Sequence, residues 1–125
     1  MRRKRLESFL WSTIVVAGCV FASAQVGEAT DVAPTTVVAV DFDYSPKEIA
    51  LPLGETRFRL INDGVRRHNL VVFRHTDGVE LASDLIRPET QTEWSLVFEQ
   101  PGRYQFWCSE YSHMDRGMVG YITVE

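Results

Sequence analysis

The possible folds are limited most by a series of short β-branched or alternating runs, each bounded by a turn signal. The runs occupy residues 35–42, 56–62, 69–73, 92–98, 103–108 and 119–125. Within 56–62, Phe58 and Leu60 alternate with arginines, so the apolar side chains of an extended chain share one face. Short strands at nearly regular intervals, separated by Gly or Pro turns such as "NDG" and "QPG", indicate an antiparallel sandwich or barrel.

The rest of the chain adds little to this all-β pattern. No segment has a convincing helical period, although residues 80–86 are compatible with one or two helical turns. The length of 125 residues allows one domain, and a hydrophobic fraction of 45% with a charged fraction of 24% is that of a protein with a folded core. We therefore predict one all-β domain over residues 35–125.

Residues 1–24 are predicted to be an export segment. The basic cluster "MRRKR" precedes a mostly apolar run that ends in the small residues Ala22–Ala24. This is the profile of a secretory signal, and the run is short for a membrane span of about 20 residues. Alternatives are an uncleaved anchor and a lipid anchor, because "VAGC" ending at Cys19 resembles the lipobox of bacterial lipoproteins. We favour a soluble product in the periplasm or another extracytoplasmic space, with residues 25–34 as a flexible linker.

The charge balance after export narrows the range of partners. Four of the 13 basic and one of the 17 acidic residues precede Gln25, so the rest of the chain holds 9 basic and 16 acidic residues. An acidic domain does not favour nucleic acid or an anionic membrane surface, since both require clustered Lys and Arg. Membrane attachment is expected only through the N-terminal segment. Arg66 and Arg67 are interpreted as a solvated turn, with steering of an acidic partner as the alternative.

The number of cysteines indicates a functional site. Cys19 is removed or lipidated under either cleavage, which leaves Cys108 alone. In an oxidising compartment a small domain normally pairs its cysteines. A single cysteine therefore indicates a metal ligand or a reactive thiol.

Three further residues have the chemistry of metal ligands. Cys108 ends a predicted strand, and one loop then carries His113 and Met118, each five positions beyond the previous ligand candidate. His68 lies at the mouth of another predicted strand. A thiolate, two imidazoles and a weak thioether form the electron-transfer copper site of blue-copper proteins, whereas structural zinc takes four strong ligands. We predict that these four side chains bind one Cu(I)/Cu(II) ion.

Met114 is a rival to Met118 because it directly follows His113. Spacing and the "GMVG" context favour Met118. Met114 is then predicted to belong to an apolar rim around His113, at which a redox partner docks.

The sequence also resembles the cupredoxins, the group of blue-copper domains that includes plastocyanin, azurin, auracyanin and halocyanin. The matching segments are "DFDYSPKEIALPLGE", "HNLVVF" and "PGRYQFWCSEYSHMDRGMVGYITV", and the resemblance covers nearly all of the exported chain. It implies a Greek-key β-sandwich with copper at one end that transfers single electrons. Asn69 matches a family position that steadies the ligand loop and the thiolate.

The leading hypothesis is a one-electron carrier between exported redox proteins. No second metal site, activated serine or pair of catalytic carboxylates is identified, so we do not expect an enzyme. A fragment of a nitrite reductase or multicopper oxidase would need further domains and histidine pairs. The main alternative is a copper trafficking or sequestration protein that uses the same ligands, although the chain lacks Met-rich and His-rich tracts. A metal-free adhesion domain is the remaining alternative.

Overall fold

The computed structural model describes residues 31–73 and 80–125, in which all regular structure is β-strand. The strands are β1 (Thr35–Val40), β2 (Asp43–Ser45), β3 (Glu48–Leu51), β4 (Gly54–Asn62), β5 (Val71–Phe73), β6 (Glu80–Ala82), β7 (Gln91–Phe98), β8 (Gly102–Trp107) and β9 (Val119–Val124). The predicted export segment and residues 25–30 of the predicted linker lie outside the described residues. Within the described ranges, no helix has the length and apolar character needed to cross a membrane.

The strands form two sheets, which confirms the predicted β-sandwich. One sheet has the order β2-β1-β4-β7 and the other β3-β9-β8-β5-β6. The expectation of purely antiparallel sheets is wrong, because β1 pairs with β4 and β3 pairs with β9 in parallel. Turn signals mark where the chain reverses, but they do not show that it crosses repeatedly from one sheet to the other. Such crossings allow parallel neighbours without a helical connection.

Aromatic contacts join the two sheets through the core. Phe98 of β7 meets Tyr104 of β8 at a ring-centroid distance of 5.2 Å, and Tyr44 of β2 meets Phe106 of β8 at the same 5.2 Å. Both pairs are edge-to-face, an arrangement that contributes roughly 0.5–1.5 kcal/mol beyond the area buried. The alternation predicted for 56–62 is confirmed, since Phe58 and Leu60 are fully buried.

Residues 80–86 do not form the helical turns considered for them. They contain β6 and end at Ile86, which makes an isolated antiparallel bridge with His68. His68 N donates to Ile86 O at 3.1 Å, and Ile86 N donates to His68 O at 2.9 Å. This segment therefore holds the backbone of His68 from one side.

Candidate metal centre

The loop between β4 and β5 carries His68, and a buried amide organises it. The Asn62 side chain, 1% exposed, donates through Nδ2 to Arg66 O at 2.7 Å and to Ile86 O at 3.1 Å. Its Oδ1 accepts from Gly64 N at 3.0 Å. Because these bonds replace the water that the loop would otherwise need, the turn before His68 has one preferred course.

The second ligand segment is the loop between β8 and β9. Strand alternation buries Tyr104, Phe106 and Cys108 together. Cys108 N donates to Met118 O at 3.2 Å, and Met118 N donates to His113 O at 3.1 Å. These two bonds close the loop, so its base and its tip lie against each other.

Three donor atoms converge between the two loops. Cys108 Sγ lies 3.8 Å from His68 Nδ1 and 3.5 Å from His113 Nδ1. The ligand atoms of these three residues all lie within 4.8 Å of one another. Their exposed fractions are 0% for His68, 1% for Cys108 and 3% for His113, so the cluster is shielded from solvent.

The two methionines of this loop have different environments. Met118 is fully buried in the core, whereas Met114 is 42% exposed. Only Met118 is therefore enclosed together with the buried donor cluster. Met114 lies at the surface, where the sequence analysis placed the apolar rim.

Asp41 contacts the proposed ligand His68, and no sequence pattern pointed to it. Its Oδ1 lies 3.1 Å from His68 Nε2 and accepts from Val65 N at 3.1 Å and Arg66 N at 3.2 Å. Partial burial raises the pKa of Asp41, but the hydrogen bonds from His68 and the two amides outweigh it and hold the pKa below the usual value. The anionic carboxylate favours a proton on Nε2 of His68, which leaves the Nδ1 lone pair directed at the donor cluster.

Asn69 ties the two ligand segments together. Its Nδ2 donates to Ser109 Oγ at 2.8 Å, and its Oδ1 accepts from Ser109 N at 2.9 Å. The Tyr44 hydroxyl donates to Asn69 O. Burial, and secondarily the neighbouring Cys108, raises the pKa of Tyr44, so the phenol keeps the proton for this bond. The residues that follow His68 and Cys108 are thus linked directly.

His113 lies under an aromatic ring. The Phe42 and His113 ring centroids are 4.9 Å apart in an edge-to-face arrangement. Burial lowers the pKa of His113, and the nearby His68 adds to the effect. A neutral imidazole is the form that binds a metal, so the environment favours the ligand state.

The chemistry of the donor set fits copper. A buried cysteine sulfur with two imidazoles, next to a buried thioether, matches the ligand preferences of Cu(I) and Cu(II) together. A structural zinc site would use four strong donors. Among the residues that the structure describes, no carboxylate joins this group of potential ligands.

Comparison with known proteins agrees with the fold and identifies the family. A family model described as "Cupredoxin-like domain" matches residues 13–124, whereas no curated protein matches. A reduced auracyanin from Roseiflexus castenholzii has a TM-score of 0.68 at 18% identity, over 74% of this chain and 96% of that one. An oxidised amicyanin variant has a TM-score of 0.56 at 23% identity, over 76% and 87% of the two chains. A copper-containing nitrite reductase from Thermus scotoductus has a TM-score of 0.56 at 24% identity, over 74% of this chain but 22% of that one. The chain belongs to the cupredoxin-like family.

Proposed function

We propose that this protein is a type 1 copper protein that carries single electrons between exported redox partners. One observation carries the proposal: the donor atoms of His68, Cys108 and His113 lie within 4.8 Å of one another in a buried site. Met118 is the proposed weak axial ligand, because it is fully buried in the same core while Met114 is exposed.

A carrier needs a site that changes little between oxidation states. Copper supplies the one-electron chemistry, and the chain supplies rigidity. Asn69 fixes the Cys108 segment through Ser109, and Asp41 fixes the His68 ring. Ligands that are already held in place have little to reorganise when an electron arrives or leaves, and this keeps transfer fast.

The burial of the proposed ligands disfavours an enzyme and a copper trafficking protein. His68, Cys108 and His113 are at most 3% exposed, so a substrate or a metal-accepting protein has little access to the proposed ligands. An enzyme needs an open coordination position, and a trafficking protein needs exchangeable ligands. The similarity to the nitrite reductase covers 22% of that chain, so most of that protein has no counterpart in the alignment. Export is part of the proposal and is supported by the N-terminal sequence.

The test is a visible spectrum after Cu(II) is added to the purified chain. An intense thiolate-to-copper band is expected, and it should disappear in Cys108→Ser. Cys19→Ser, made in the full-length chain without export, is the matched control, because it removes the other cysteine of the chain and should keep the band. A colourless wild-type protein without bound copper would contradict the proposal.

The axial ligand is tested by a second pair of variants. Met118→Leu should change the reduction potential and the spectrum, because it removes the thioether while keeping nearly the same volume. Met114→Leu is the control and should leave both unchanged. The reverse pattern would assign the thioether to Met114.

A further inference from the structure

The charge of the chain is unevenly distributed around the candidate metal centre. The sequence has 13 basic and 17 acidic residues, yet three arginines surround one open pocket of about 400 Å³ beside His113. The pocket is lined by Arg66, Arg67, Arg116, Phe42, Tyr111 and Glu110, together with Ser112 and His113. Glu110 is the one carboxylate in this lining, so the pocket carries excess positive charge.

Two of these arginines have no carboxylate partner in the described part of the chain. The Arg66 and Arg116 guanidinium carbons lie 5.6 Å and 3.4 Å from the centroid of the Phe42 ring. Arg67 is paired loosely with Glu110 at 3.7 Å and is 59% exposed. Elsewhere on the surface, Arg59 pairs with Glu93 at 2.6 Å. The arginines beside the metal centre therefore keep their capacity to bind an anion.

The position of Phe42 links these arginines to the proposed copper ligands. Phe42 has a φ of +67°, a left-handed conformation that is uncommon for a bulky non-glycine residue. Such a conformation is strained and persists where the surroundings determine it. Here the ring lies against His113 and close to both guanidinium groups. An anionic group bound by the arginines would thus lie one aromatic ring away from a copper ligand.

An exposed aromatic side chain lines the same pocket. Tyr111 is 90% exposed. Tyr and Arg are enriched among the residues that dominate the binding energy of protein interfaces. A water-exposed tyrosine next to unpaired arginines is therefore suited to a protein partner, whose surface would cover both.

We propose that Arg66, Arg67 and Arg116, with Phe42 and Tyr111, form a docking surface, here called the arginine face, for a redox protein with an acidic surface around its own redox centre. This inference rests on the proposed electron-carrier function and adds the chemistry of the partner. Nucleic acid is a poor occupant because the acidic remainder of the chain repels a polyanion. The local positive field steers a compact acidic surface to the end of the domain that holds the site.

The first experiment measures binding by NMR, with a synthetic peptide of repeated Gly-Glu as the probe and a Gly-Gln peptide as its neutral control. The purified chain is tested both as isolated and after addition of Cu(I), so that failure to bind copper does not prevent the test. The Gly-Glu peptide should shift the amide signals of residues 64–68 and 111–117. The shifts should vanish near 1 M salt, where the Debye length falls to about 3 Å.

The second experiment uses matched variants. Arg66→Gln/Arg116→Gln should weaken binding of the Gly-Glu peptide by about tenfold or more. Arg57→Gln/Arg103→Gln removes the same charge from arginines that are already paired with Glu93 and Glu48, and it should have little effect. Amide spectra show whether each variant is folded, and the salt dependence of the wild type tests the inference without any variant.

Three outcomes would overturn the inference. The peptide could fail to bind, it could shift signals evenly over the surface, or the two double variants could weaken binding equally. Shifts with chloride or hexacyanocobaltate(III) but none with the peptide would assign the pocket to small anions instead. Because none of these measurements requires bound copper, a failed docking surface is distinguishable from a failed metal site.

Discussion

The Asp41 carboxylate accepts hydrogen bonds from two backbone amides and lies 3.1 Å from the outer nitrogen of His68. A negative charge at this position increases electron donation from the imidazole and stabilises Cu(II) relative to Cu(I). We predict that Asp41→Asn raises the reduction potential and lowers copper affinity by about 10–100-fold, the usual effect of removing such a partner. Voltammetry and competition with a chelator measure the two quantities.

The control for this prediction is Asp63→Asn. Asp63 is an exposed residue at the start of the loop between β4 and β5. This variant therefore removes the same formal charge as Asp41→Asn but leaves the contact between Asp41 and His68 in place. If both variants shift the potential equally, the effect comes from net charge and not from the hydrogen bond.

We predict that the free energy of unfolding of the copper-free chain depends on pH because of His113. Burial, and then the nearby His68, lowers its pKa, so below the usual value of about 6.5 the unfolded chain binds a proton more readily than the folded chain. The free energy of unfolding should therefore be highest above this pH and fall as the pH drops through it. Urea unfolding on both sides of pH 6.5 measures the change, and His113→Gln should remove this part of the dependence. A wild-type stability that rises on acidification through this range would contradict the assignment.

Some of these residues were predictable from the sequence and others were not. Cys108, His113 and Met118 belong to one loop, so their residue types and spacing together indicate a metal site. Asp41 is separated from His68 by 27 positions and has an ordinary side chain. Its contact with His68 depends on the position of the end of β1 relative to the loop before β5. The packing of the two sheets sets this position.

The loop between β4 and β5 illustrates how a segment is shaped around one glycine. A Cβ atom added at Gly64 would lie 2.5 Å from Asp41 Oδ1 and 2.9 Å from His68 Nε2. We predict that Gly64→Ala separates these two side chains, lowers copper affinity at least as much as Asp41→Asn, and destabilises the fold by about 1–3 kcal/mol. Chelator competition and urea unfolding test this.

Val65→Ala is the matched control in the same loop. Val65 is 81% exposed, so its truncation should leave stability within about 0.5 kcal/mol of the wild type. Normal copper binding by Gly64→Ala would show that the loop moves freely, and that Asp41 does not fix the ring of His68.

Two of the strands that the sequence predicted have a long alternating pattern. β4 and β7 have one face buried and extend over 9 and 8 residues, enough for the period of two to be visible. β2 and β6 have 3 residues each, too few to show any period, and β6 was considered as a helical turn instead. These short strands exist because a neighbouring strand pairs with them, which is a tertiary effect that a local pattern does not contain.

The candidate metal centre lies at one end of the sandwich and uses both sheets. His68 and Cys108 adjoin β5 and β8, which are paired in the five-stranded sheet, whereas Asp41 and Phe42 follow β1 of the four-stranded sheet. A metal bound to the first pair and supported by the second would fasten the two sheets together at this end. Copper should therefore contribute to the stability of the folded domain as well as to its proposed function.

A bound metal that prefers the folded chain stabilises it by mass action, by about 4 kcal/mol when its free concentration is about 1,000 times the dissociation constant. For a domain near 100 residues this corresponds to a rise in Tm on the order of 15–30 °C. We predict such a rise when copper is added to the metal-free chain, and its loss on addition of a strong chelator. Cys108→Ser should show little of it, because the thiolate is the strongest proposed ligand. If the chelator left the Tm of the copper-treated wild type unchanged, copper would not be bound by the fold, and the metal-free adhesion domain would be the better interpretation.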